Sequence, residues 1–498
     1  MPKLISIRVL YFLLIASLLL LTGCRDSDFT LFQKEAVVFA SNDKKIDEKE
    51  YNALVERIKA SNDAGFKQFI GENKEINNPK LAEYLLKYFT AKKLTLNAGD
   101  IWQPNQTATS NTKFNVDVYI ENSASMDGYV KGVTEFETAI YNLLGDLKIS
   151  DLCESMNLNY INKNITYTKA NALPPDIQDF IEKLEPSSFK QKGGDRSTSD
   201  LKNILQTVIT KVDDKNAAIL ISDFVFSPGS KNDAQDYLNN QAVGIKIDFA
   251  EKLKKFDLAV IVIQLQSNFD GIYYDKTNQP ISIKSKRPYY IWLFGNSSQI
   301  KAILDKKMLD NIKGGFQNRI VFTSIKETTP PEYKILLRPR IGEFKLTNGA
   351  NGAINEASVS KENQTKGLFG FNLAVKFSGG MQNSNFFLDT ANYRLSNSKY
   401  SLAVEPITEP DVALKGFTHL LKLQTTELRE ENLKIEIISK LPTWVTNSTS
   451  IDDSRILIND DEKQKTFGLK YLIEGVNDAF YPQSSENIIN TISISINK

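Results

Sequence analysis

Phe114-Asn-Val-Asp-Val-Tyr-Ile-Glu-Asn-Ser-Ala-Ser-Met126 is the stretch on which the fold turns. Val116 to Ile120 is rich in β-branched and aromatic residues, as a strand requires. It stops abruptly on Glu121, Asn122, Ser123, Ala124 and Ser125. A buried strand that runs into a hydroxyl-rich polar turn has the profile of a parallel-sheet strand at its carboxyl end, where open α/β sheets gather their ligands. Downstream, Thr134 and Glu137 have capping-box spacing, and Phe136, Ile140, Leu143, Leu144 and Leu147 share one helical face. Asp176 to Leu184 reads as a short helix. Leu201, Ile204, Leu205, Val208 and Ile209 give full helical spacing, and Phe249, Leu253 and Phe256 mark a further helix. Ala217 to Ile221 and Leu258 to Leu265 are unbroken apolar runs, the mark of strands covered on both faces. Tyr289 to Phe294 and Ile320 to Phe322 add strands around a helix near Ile300 to Leu304, and Asp270-Gly271 reads as a tight turn into a strand. The alternation predicts an α/β domain over 114–338, a doubly wound and mainly parallel sheet covered by helices.

The flanks follow other rules. Beyond about Pro339 the apolar period becomes two: Phe369, Phe371, Leu373, Val375 and Phe377, then Leu433, Ile435 and Ile437, then Ile492, Ile494 and Ile496. That pattern predicts a β-sandwich-like domain over 339–498. On the other side, Asp47 with Glu50 forms a capping box, and Tyr51, Leu54, Val55 and Ile58 line one face. Asn78-Pro79 opens a second helix with Leu81, Leu85, Tyr88 and Phe89 inward, giving a helical region over 47–93. Residues 94–113, rich in Thr, Asn and Gln and without periodicity, read as a linker.

The N-terminus reads as an export signal. Lys3 and Arg8 precede the apolar run Val9 to Leu21, which is short for a membrane span. Leu21-Thr22-Gly23-Cys24 matches a lipobox, so residues 1–23 are expected to be a signal peptide, Cys24 to carry lipid, and 24–46 to be a tether. No aspartate directly follows Cys24, which points to the outer membrane. Asp26 and Asp28 nearby resemble the surface-export signals of Bacteroidetes lipoproteins. Periplasmic face and cell surface both stay open.

Composition removes several function classes. The 498 residues carry 61 basic and 60 acidic side chains, so no electrostatic drive toward nucleic acid or anionic membrane exists. Only Cys153 remains besides Cys24, which rules out an intrachain disulfide once Cys24 is lipidated. A single histidine forbids a two-histidine zinc-protease helix motif. That residue, His419, shares a strand face with Phe417, Leu421 and Leu423 and reads as structural. Trp102, Trp292 and Trp444 read as packing residues, and Asp452-Asp453 and Asp460-Asp461-Glu462 as solvated loop charge.

Three polar segments fall where a parallel sheet would collect them: Glu121-Asn-Ser123-Ala-Ser125, Ser197-Thr198-Ser199-Asp200 before the helix at Leu201, and Ser222-Asp223 after the strand ending at Ile221. On these residues, from about Phe114 to Thr323, the chain resembles the von Willebrand factor A family. The resemblance implies a metal-ion-dependent adhesion site. Ser123 and Ser125 take the serine positions of a D-x-S-x-S loop, Ser199 the threonine position with Thr198 beside it, and Asp223 the later aspartate. The family's first aspartate is replaced by Glu121. Neutral hydroxyls and carboxylates are hard ligands suited to Mg²⁺ or Mn²⁺. The family then implies a protein partner that offers an Asp or Glu to the metal, with no bond broken. The expected function is therefore a lipid-anchored envelope protein mediating adhesion, and not an enzyme. The alternatives are a scaffold with a degenerate metal site that binds through the β-domain, and a metal-dependent hydrolase. A hydrolase is disfavoured by the lack of a second metal cluster or histidine base.

Overall fold

The computed structural model describes residues 26–498 except 44, 72–74, 95, 97–99, 103–112, 198–199, 230–232, 311, 325–330, 348–351, 378–380, 383, 409–411 and 483–486. The signal peptide and Cys24 lie outside the described residues. Contacts divide the chain into Met1–Thr112 and Lys113–Lys498.

The first unit is built on α1 (Asp28–Asp43), α2 (Glu48–Ala60) and α3 (Asn78–Ala91). Asp47 caps α2 as its sequence predicts: Glu50 N–H donates to Asp47 Oδ1 at 2.8 Å, and Asp47 N–H donates to Glu50 Oε2 at 3.2 Å. The expected tether is corrected by α1, whose Phe32, Ala36 and Ala40 are fully buried beside Tyr51, Leu54, Phe66 and Leu85. Two of those three inward residues are alanines, and Val37, Val38 and Phe39 follow one another, so no clean apolar stripe betrays the helix. The expected linker also starts too early. Leu96 and Ile101 are buried in the same core, and Ile46 donates its N–H to Asp100 O at 2.8 Å.

In the second unit, β1 (Phe114–Glu121), β2 (Cys153–Ile161) and β4 (Asn216–Ser222) are parallel, with Val118 opposite Leu158 on one side and Ile219 on the other. The full sheet runs β3-β2-β1-β4-β6-β5-β7, with β3 Ile165–Lys169, β5 Leu258–Tyr274, β6 Pro280–Asn296 and β7 Phe316–Thr323. The remaining ladders are antiparallel, so the expected mainly parallel sheet is a parallel centre with antiparallel flanks. The source of the difference is the hairpin β5–β6. It pairs without a break from Leu258 with Asn296 to Tyr274 with Pro280, and Asp270-Gly271 lies inside it and makes no turn. Its outer half reaches past the sheet as a ribbon, buried on one face by Phe269 and Tyr273.

Helices cover both faces. In β6, Tyr289 meets Phe136 of α4 (Glu135–Ile149) at 5.0 Å between ring centroids, while Phe294, on the opposite face, meets Phe249 of α7 at 6.4 Å. The longer helices here also include α5 (Pro174–Glu182), α6 (Leu201–Lys211), α7 itself (Ala234–Leu253) and α8 (Ser297–Asp305).

Two antiparallel-rich sheets follow, of order β12-β15-β18-β10-β9 and β13-β14-β11-β8. Their ranges are β8 Glu332–Ile341, β9 Glu343–Leu346, β10 Ile354–Ser358, β11 Phe369–Lys376, β12 Tyr393–Leu395, β13 Tyr400–Pro406, β14 His419–Thr425, β15 Glu431–Ile438 and β18 Ile488–Ile496. They share one core containing Phe371, Leu373, Leu421, Leu433, Ile435, Ile492 and Ile494, the alternating residues of the sequence pattern. The domain boundary at Pro339 needs correction, however. Between β15 and β18 the chain returns to the α/β domain as the short parallel pair β16 (Thr449–Ser450) and β17 (Thr466–Phe467) and the helix α9 (Leu469–Phe480). Leu469, Leu472, Ile473 and Val476 join the α/β core, and Gly475 lets α9 lie against Ala242 O of α7, where a Cβ would stand 2.6 Å away.

Candidate functional site

Because Ile120 and Ile221 are paired neighbours on β1 and β4, the two strands deliver Glu121 and Ser222-Asp223 side by side at their carboxyl ends. Glu121 and Asp223 are both buried. The Ser222 hydroxyl donates to Glu121, and its oxygen accepts the Phe224 N–H at 2.8 Å. Asp223 Oδ1 accepts the Val225 N–H at 3.2 Å. This turn passes through Phe224 at φ +51°, a left-handed conformation that a bulky residue adopts only when its surroundings compel it. The compulsion is the ring, stacked on Trp292 at 5.0 Å and edge-on to Tyr290 at 6.0 Å.

Ser123 and Ser125 sit on the turn after β1 with their hydroxyl oxygens 3.0 Å apart, and Ser125 is close enough to Asp223 to favour its charged form. Burial, and then the repulsion of Glu121, push the Asp223 carboxyl up to about 7; the Val225 N–H, Arg287 and Ser125 only partly offset this. Glu121, Ser123, Ser125 and Asp223 are thus brought together. Thr198 and Ser199 lie outside the described residues. Next to them, Asp200 caps α6 by accepting the Asn203 N–H at 3.1 Å.

Several residues that hold the site carry no sequence signature. Buried Asn122 and Asn162 are joined Nδ2 to Oδ1 at 3.0 Å, and both donate to Gly193 O, which seats the 193–197 loop over the serines. From that loop Arg196 reaches back to Asn122 O at 2.6 Å, to Ser123 O at 3.2 Å and to the Asp127 carboxylate. Burial raises the Asp127 pKa against the pull of Arg196. Below the site, buried Arg287 lies 4.3 Å from the Tyr273 ring centroid and donates to Lys463 O at 3.2 Å. The Tyr273 hydroxyl donates to Asp453 Oδ2 at 2.6 Å, and Tyr290 pairs with Thr466 at 3.0 Å. Asp453, expected to be solvated, is 1% exposed and also accepts the Lys276 N–H at 3.1 Å. Only the three-dimensional return of the chain from the sandwich reveals these partners.

The structural readings of His419 and the tryptophans agree with their positions. His419 is buried with Nε2 3.1 Å from Ser384 O, and Phe377 and Phe387 pack on its ring. Trp292 is fully buried, and Trp102 packs edge-on to Tyr51. Among the described residues no three His, Cys, Asp or Glu side chains converge as a metal cage would. What converges is two carboxylates with two hydroxyls. No described helix is long and apolar enough to cross a membrane.

No family model, curated protein or solved structure matches the chain. The chemistry of the site therefore has to be argued from its own atoms. Two buried carboxylates, repelling each other and lined by neutral hydroxyls, can be relieved by a shared proton or by a small hard cation.

Proposed function

We propose that the chain is a lipid-anchored envelope protein whose α/β domain, of von Willebrand A type, binds a protein partner through the β1–β4 strand-end site with the help of Mg²⁺ or Mn²⁺. The observation that carries this reading is the convergence of Ser123, Ser125 and Asp223 beside a second buried carboxylate, Glu121. The donor set fits a divalent ion: Ser123, Ser125 and Asp223 would hold it, and Glu121 would balance its charge from behind Ser222. Bound there, the ion supplies Lewis acidity toward an Asp or Glu of the partner. Arg196 keeps the serine turn in place, and Arg287 offsets part of the negative charge. On this reading the contact is adhesion without turnover.

The test is thermal stability and calorimetry with Mg²⁺ and Mn²⁺. A roughly hundredfold excess over Kd is expected to add about 2.7 kcal/mol of stability. Asp223→Ala should abolish that gain and keep the fold, and Glu121→Asp should keep or tighten binding. Engagement of Glu121 by Ser222 favours a second reading, a scaffold whose degenerate site binds no metal and whose β-domain carries the contacts. No binding by the wild type together with clear binding by Glu121→Asp selects that scaffold. Membrane attachment through Cys24 is tested separately. Cys24→Ser should release the protein from membrane fractions or leave an uncleaved precursor, and unchanged anchoring would remove the lipoprotein reading.

A further inference from the structure

Away from the strand ends, the outer face of α4 carries a feature that its own packing does not explain. Gly145 sits inside this 15-residue helix, where glycine costs about 0.5–1 kcal/mol relative to alanine. A Cβ at Gly145 would have nothing within 4 Å, so no internal neighbour requires its absence. One turn before it stands Tyr141, 46% exposed, and one turn after it Ile149, 79% exposed. Across from them are Pro174 and Ile177 of α5, next to Leu173, which is 60% exposed. Together they form an open groove of about 480 Å³, within the roughly 300–1,000 Å³ range of small-molecule sites.

The polar groups on the groove are not equivalent. Asp146 accepts from Asn142 Nδ2 at 3.4 Å. Lys148 and Lys313 line the same groove, and neither forms an ion pair with a described residue. A carbon-lined floor whose two ammonium groups outnumber the single Asp146 carboxylate calls for a ligand with an apolar body and one anionic end. We infer that the Gly145 groove binds an aliphatic carboxylate, the chain lying in the notch between Tyr141 and Ile149 and the carboxylate meeting Lys148 and Lys313. The ammonium groups select the anion, and the missing side chain at Gly145 makes room for the chain. This site is separate from the strand-end serines and does not depend on any metal.

Calorimetric titration of the full chain with dodecanoate, below its micelle concentration, tests the inference, with dodecanol as the uncharged control. The open space around Gly145 means that Gly145→Leu fills the groove without disturbing the core. Saturable binding of dodecanoate is expected, weakened at least about tenfold by Gly145→Leu and by the pair Lys148→Gln/Lys313→Gln. No binding, or binding indifferent to Gly145→Leu, overturns the site. Equal binding of dodecanol, or indifference to the lysine pair, overturns the carboxylate as its ligand. Unaltered far-ultraviolet circular dichroism and melting of the variants separate loss of the ligand from loss of the fold.

Discussion

The hydroxyl of Tyr273 on the β5–β6 ribbon donates to Asp453 Oδ2 at 2.6 Å, fastening a strand of the α/β domain to a segment 180 residues later. Both groups are buried. Tyr273→Phe leaves Asp453 with only the Lys276 N–H as a described hydrogen-bond donor. The expected cost is about 1–3 kcal/mol, read as a lower denaturation midpoint with unchanged slope. A neutral substitution would show that the return segment is held by its apolar contacts alone.

Truncation after Pro339 should fail to give a native α/β domain. The fragment 113–339 lacks Leu469, Leu472, Ile473 and Val476, which are fully buried in the same core. Exposing that face of α7 should give dye binding and broad melting, whereas a fragment that also carries 441–481 through a short linker should melt cooperatively. A well-ordered 113–339 would refute the discontinuous domain.

Acidity at Asp223 gives a stability effect of defined sign. Its folded pKa, about 7, is above the ordinary 3.8, so the folded state binds more protons between those values. The contribution of this group is therefore full below about pH 4 and is lost as pH rises toward 7. Asp223→Asn should be more stable than wild type at pH 8 without divalent ions, by more than about 1 kcal/mol, and should lose that advantage near pH 4. If Mg²⁺ or Mn²⁺ occupies the site, its gain in wild type should be larger at pH 8 than at pH 5.5, because metal and proton compete.

His419 works in the other direction. Burial lowers its pKa below the ordinary 6.5, against a raising hydrogen bond to Ser384 O. The unfolded chain then binds the proton more readily, so this contribution is present above pH 6.5 and falls away as the pH drops below it. His419→Gln should flatten that part of the profile, measured as the wild-type-minus-variant difference between pH 7.5 and 5.5. An unchanged slope would mean that the imidazole takes up its proton as readily in the sandwich core as in the unfolded chain.

What the sequence discloses follows the range over which each signal acts. Capping at Asp47, the inward face of α4 and the alternation in β11, β15 and β18 are local patterns, and the structure places each as expected. Glu121, Ser123, Ser125 and Asp223 are legible because they lie at or just beyond the carboxyl end of a strand. The direction of β6 is hidden, since an apolar strand reads the same whether it runs with or against its neighbour. Arg287, Asn162 and Asp453 are hidden for a different reason: the partners that bury them come from other segments of the chain, and nothing in their immediate neighbourhood announces burial.

The place of β18 has a consequence for the timing of folding. Residues Ile488–Ile496 lie between β15 and β10, in the middle of their sheet, and α9 just before them completes the α/β core. Neither domain can therefore close over its apolar interior before α9 and β18 have been made. During synthesis the central strands β1 and β4 can associate, but Phe249 and Ile245 await α9, and Leu433 and Ile435 await the last strand. The nascent polypeptide keeps apolar surface exposed until Ile488–Ile496 have emerged, and then both domains can close.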